Sequence, residues 1–88
     1  MLGIIEPYKD GFVEVVPEGK GSDYWQIAAI HIKGEVFCPN PRLFRNELSA
    51  LGKAQQIYDW IASHEQETRS RICYCEELKL PLWRHTNS

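Results

Sequence analysis

Apolar and polar positions along this 88-residue chain follow two rhythms. Up to Cys38 the period is near two. Phe12-Val-Glu-Val-Val16 is rich in β-branched residues, stops at Pro17, and reads as a strand. Residues 24–32, Tyr-Trp-Gln-Ile-Ala-Ala-Ile-His-Ile, form a second strand, and residues 35–38 a third, closed by Pro39. Residues 18–23, with two glycines and a Ser-Asp pair, are a loop. Residues 1–11, with Pro7, Asp10 and Gly11, read as a lead-in that ends in a turn.

Lys33-Gly34 sits where a two-residue hairpin turn belongs. Pairing across it predicts Ile32 opposite Glu35, His31 opposite Val36, Ile30 opposite Phe37 and Ala29 opposite Cys38. Strict alternation then gives one face of Trp25, Ile27, Ala29, His31, Val36 and Cys38. The other face holds Tyr24, Gln26, Ala28, Ile30, Ile32, Glu35 and Phe37. Neither is polar, which predicts a sheet covered on both sides.

From residue 41 the period lengthens to that of a helix. Asn40 as cap and Pro41 at the first helical position start it, with Asn46 as an alternative cap. Phe44, Leu48, Leu51, Tyr58 and Ile61 recur at helical spacing, with Ala54, Gln55 and Ala62 in the same stripe, and predict a helix to Ser63 or His64. Gly52 either weakens its middle or permits close packing. At about 100° per residue, Trp60 falls roughly 160° from Phe44, beside Ile57, Lys53 and His64, on the face turned from the sheet.

Residues 68–79 fit either rhythm. As a strand, Ile72 and Tyr74 alternate with Arg71, Cys73 and Cys75. As a helix started by Thr68, Ile72, Cys75 and Leu78 align, and Glu76-Glu-Leu-Lys79 favours that reading. Pro81 is expected to end regular structure either way, and residues 85–88 to fray. The fold predicted is α+β: one small domain with a three-stranded antiparallel meander over residues 12–16, 24–32 and 35–38. One long amphipathic helix, residues 41–64, packs on it, followed by a C-terminal helix or strand at 68–79.

Composition narrows the function. The chain is 43% hydrophobic and 25% charged, which is that of a folded soluble protein rather than a disordered one. A net charge of −2 excludes the overall basic field of a typical nucleic-acid binder. Small basic clusters remain at Arg42/Arg45 and Arg69/Arg71. Met1-Leu-Gly-Ile-Ile5 runs at once into Glu6-Pro7 and does not read as a secretory signal. No apolar run reaches the ~20 residues of a membrane span. With an odd count of three cysteines, a reducing cytoplasm is the location expected.

The candidate chemistry is sparse. Cys73-Tyr-Cys75 aims two sulfurs at one ion only on an extended backbone, and a metal site also needs Cys38 and a histidine such as His31. Buried small hydrophobes are the commoner fate of such cysteines, so no metal or other cofactor is assigned. Three scattered histidines and no strained serine elbow give no catalytic set, no small-molecule substrate and no enzyme. A sheet backed by a helix suits nucleic acid if Tyr24, Trp25, Arg42, Arg45, Arg69 and Arg71 converge. The favoured reading is a non-enzymatic adaptor, inhibitor or regulatory subunit. It would bind a protein partner, a homodimer included, through Ile57, Trp60, His64, Leu82 and Trp83, because the apolar surface exceeds what one helix can cover.

Overall fold

The computed structural model describes residues 3–19, 21, 23–39, 42–66, 68, 72–75 and 79–85. Among the described residues it is α+β, with one α-helix on a single antiparallel sheet. The strands are β1 (Ile4–Tyr8), β2 (Gly11–Pro17), β3 (Trp25–Ile32), β4 (Glu35–Pro39), β5 (Ile72–Cys75) and β6 (Leu80–His85), and helix α1 (Glu47–Ser63) lies between β4 and β5. Six strands stand in the order β1-β2-β3-β4-β6-β5. The three-stranded meander is therefore the middle of a sheet twice as large.

The predicted hairpin is present. Lys33 and Gly34 both take positive φ, 52° and 78°, as a type I′ turn requires, and Ile32, His31 and Ile30 pair with Glu35, Val36 and Phe37. The predicted faces are not. Glu14 pairs with Ala29 but Val15 with Ile27, so Ala28 is an extra residue on β3. Such a bulge flips the parity of everything beyond it. Ile27 thereby joins Ile30, Ile32 and Phe37 on one buried face with Val13 and Val15.

Two strands run through prolines that the sequence reading took as breakers. Pro7 lies in β1, an edge strand, where a missing N–H need not cost a ladder bond. Pro81 lies in β6, but pairing with β4 starts only at Leu82, so Pro81 is past the end of that ladder. Residues 72–75 are strand, paired Ile72 to Trp83, Cys73 to Leu82 and Tyr74 to Pro81, which settles the helix-or-strand choice for them. His85, expected to fray, pairs with Val36. The predicted caps Asn40 and Pro41 lie outside the described residues.

The helix starts at the alternative cap. Asn46 is extended, φ −152°, and its side chain accepts a 2.8 Å bond from the Ser49 N–H. The buried stripe is Ala50, Ala54, Ile57 and Ile61, flanked by Tyr58 and Trp60. Its phase differs from the prediction because Phe44 is not helical and Leu48 is 75% exposed. Alanines at 50 and 54 bring the helix close to the sheet, where residue size gave the wrong bearing. Trp60 and Ile57, expected on the helix back, are 4% and 0% exposed and belong to one core cluster with Cys73, Cys75 and Leu82.

Polar contacts pin the C-terminal part of the helix. Tyr8 Oη donates to the Asp59 carboxylate at 3.0 Å, Lys9 Nζ pairs with it at 2.6 Å, and the Asp10 N–H donates to Tyr58 Oη. Gly11 follows that turn, and a Cβ there would stand 2.0 Å from the His31 carbonyl oxygen, so β2 starts only where glycine permits. At the C-terminal end His64 caps the helix and stacks on Trp60, ring centroids 4.4 Å apart. Among the described residues no helix is long and apolar enough to cross a membrane.

Candidate protein-binding surface

Helix α1 covers one face of the sheet, and among the described residues no helix or strand lies over the other. Register and alternation place Ile72, Tyr74, Trp83, Cys38 and Val36 on that open face, because Cys73, Cys75, Leu82 and Phe37 point to the core. Cys38 pairs with Trp83 and Trp83 with Ile72, so the three form one row across β4, β6 and β5. Tyr74 stands one rung further, opposite Pro81. Trp83 is 45% exposed, Ile72 48% and Tyr74 53%. Leu82 and Cys75 behind them are fully buried, which fixes the backbone that carries the row.

Toward β1 the same face carries a polar pair beside Phe12, with Ile5, 60% exposed, opposite Glu14 on β1. His31 Nε2 lies 2.8 Å from Glu14 Oε1, and the His31 ring stacks on Phe12 at 4.0 Å. The sequence reading missed this pair, since residues 17 apart meet only through the β2–β3 register. Cys38 shares the face, but burial first and the Glu14 charge second push its thiol above its ordinary value. A thiol held protonated is the opposite of an activated nucleophile.

The cysteine site is corrected by geometry. Cys38 faces the open side while Cys73 and Cys75 face the core, so the sheet stands between them and three sulfurs cannot meet at one ion. Among the described residues no group of three or more metal-ligating side chains occurs. Burial, then the neighbouring Cys75, pushes the Cys73 thiol up as well. Both core cysteines act as small apolar side chains.

No protein-family model, no curated protein and no solved structure matches this chain. The surface alone carries the functional argument.

The five residues expected to form an interface separate. Ile57, Trp60 and Leu82 are core, His64 is half-buried against Trp60, and Trp83 alone sits on an uncovered face. Four of the six residues considered for nucleic acid do come together. Trp25 and Phe44 exchange backbone hydrogen bonds of 2.8 and 2.7 Å, which stitches residues 42–45 alongside the start of β3. Exposed Tyr24, Arg42 and Arg45 therefore share one end of the molecule with half-buried Trp25. Arg69 and Arg71 lie outside the described residues.

A groove of about 230 Å³ opens between the helix C-terminus and β4/β6, beside Phe37, Ile61, Thr68 and Arg84. Its charges already neutralise one another, Lys33 on Glu65 and Arg84 on Glu35. It therefore offers no unbalanced charge to a ligand among the two pairs that line it.

Proposed function

We propose that this protein is a non-enzymatic protein-binding module, an adaptor, inhibitor or regulatory subunit, whose binding surface is the open sheet face over β4, β6 and β5. The observation that carries this reading is the row Cys38–Trp83–Ile72 with Tyr74 beside it, half-exposed on strands whose opposite side is core. Aromatic side chains on a rigid sheet lose little conformational freedom on binding, and Trp and Tyr dominate interface energies. Clustered apolar surface on a small domain marks such sites.

The test compares proteins captured from the native cell by wild type and by a Trp83→Ser, Tyr74→Ser double variant with unchanged circular dichroism. Loss of a captured protein in the variant is expected. Identical capture by both would contradict the surface.

A second reading has its own support in the meeting of Tyr24 with Arg42 and Arg45. A single-stranded oligonucleotide would stack on Tyr24 and lie along the arginines. Binding that falls steeply with salt and is lost in Arg42→Ala, Arg45→Ala is its expected signature, and no binding at low salt removes it.

A further inference from the structure

One rung of the open face crosses the whole sheet. Ile5 pairs with Glu14 and Glu14 with Ala29. Ala29 and Cys38 follow the Ile30–Phe37 pair by one residue on each strand, Cys38 pairs with Trp83, and Trp83 with Ile72. Apolar side chains therefore stand at both ends of the rung, Ile5 60% and Ile72 48% exposed. Among the described strand residues on this face there is one acid, Glu14, and no lysine or arginine. The acid lies 2.8 Å from His31 Nε2. A face without lysine or arginine does not suit nucleic acid or an acidic membrane.

We infer that a second copy of this chain covers the open face, sheet against sheet, with both helices outermost. This rests on reading the open face as a protein-binding surface, and extends it from β4, β6 and β5 to all six strands. Area favours a whole face over a patch. Six strands ~4.8 Å apart, each giving about five residues at ~3.4 Å, present roughly 500 Å² per copy. Two copies together reach the ~1,000 Å² that a specific interface has to clear, whereas the β4-β6-β5 half alone falls short. The chemistry fits a copy as well, since homodimer interfaces are more apolar than transient ones and poor in charge.

Twofold symmetry leaves two ways to lay the sheets together, and charge selects one. An axis in the interface and across the strands stacks each strand on its own copy, which sets Glu14 against Glu14. An axis along the strands reverses the order, so that β1 lies over β5 of the second copy and β2 over its β6. The two Glu14 carboxylates then stand apart, each still held by its own His31, and Ile5 meets Ile72 at both ends of the rung. Cys38, on a strand next to the middle of the sheet order, lies beside the axis, while Cys73 and Cys75 face the core. Sheets packed in this way stand ~10 Å apart, turned by about 30°.

The experiment measures solution mass over a dilution series. Wild type is expected to rise from 10.2 kDa toward twice that mass. Where it is dimeric, a short bismaleimide is expected to link two chains through Cys38, and Cys38→Ser to abolish the link while keeping the mass. Ile5→Lys, at an exposed position on the edge strand furthest from β5, is expected to weaken dimerisation roughly tenfold. Its unfolding is expected to match wild type at concentrations where both are monomers. A wild type that stays monomeric to about 1 mM overturns the inference, even if an oligonucleotide or another protein raises its mass. So does a dimer that ignores Ile5→Lys, or one with no link through Cys38. In each of those cases the capture experiment with Trp83→Ser, Tyr74→Ser still decides the reading of the open face.

Discussion

The covered and open faces of this sheet are made by the same strands, and adjacent residues serve opposite ends. Leu82 is fully buried while Trp83 next to it is 45% exposed; Cys73 is 8% exposed while Ile72 is 48%. On the covered side the large apolar groups of the strands form one core cluster with the six buried positions of α1. On the open side Trp83, Ile72 and Tyr74 stand together over β6 and β5, Ile5 stands apart on β1, and the His31–Glu14 pair lies between them. The difference teaches that the two sides of one sheet can be probed apart: under the proposed function, substitutions on the covered side act on stability and those on the open side on association.

The largest effect expected from that separation is at Trp60. It lies in the core cluster, so Trp60→Ala is expected to cost ~3–5 kcal/mol in urea denaturation. A cost below ~1 kcal/mol would return Trp60 to the helix surface where the sequence pattern put it. Smaller and opposite in sign is Gly52→Ala. A Cβ at Gly52 meets nothing within 4 Å, so the glycine serves no close packing, and alanine is expected to raise stability by ~1 kcal/mol. Destabilisation would mean that the helix is covered on its back after all.

Smallest is the pH dependence at the β1–β2 turn. The Lys9 ammonium, and after it Tyr8, hold the Asp59 carboxyl below its ordinary value. A carboxyl depressed in the folded state contributes stability above its unfolded pKa, and loses it as pH falls through the lower folded value. Asp59→Asn is thus expected to flatten the acid limb of the stability profile slightly, because the pair is exposed. An acid limb unchanged by the substitution would remove the pair from the account of how β1 is held.

Local signals in the chain were legible and non-local ones were not. The Lys33-Gly34 turn follows from backbone chemistry within two residues, and its register follows from the turn. The Asn46 cap is equally local and stood among the readings of the sequence. The bulge at Ala28 has no marker in Ile-Ala-Ala-Ile, yet it decides which side of β3 is core. β1 and β6 were lost to Pro7 and Pro81, whose effect depends on which neighbour each strand has at that rung. Trp60 and Trp83 were both visible as interface-type residues. Which of them is available depends on the helix phase, set by Ala50 and Ala54, and on β6, which only the sheet order reveals.

The central claim is tested most directly by two neighbouring substitutions measured side by side for stability and for capture of proteins from the native cell. Leu82→Ala is expected to lose 2–5 kcal/mol, roughly the cost of truncating a fully buried leucine. Trp83→Ser is expected to keep its stability to within ~1 kcal/mol and to lose association. A Trp83→Ser protein that unfolds as readily as Leu82→Ala, or that associates as wild type does, would contradict the division of the sheet into a structural face and a binding face.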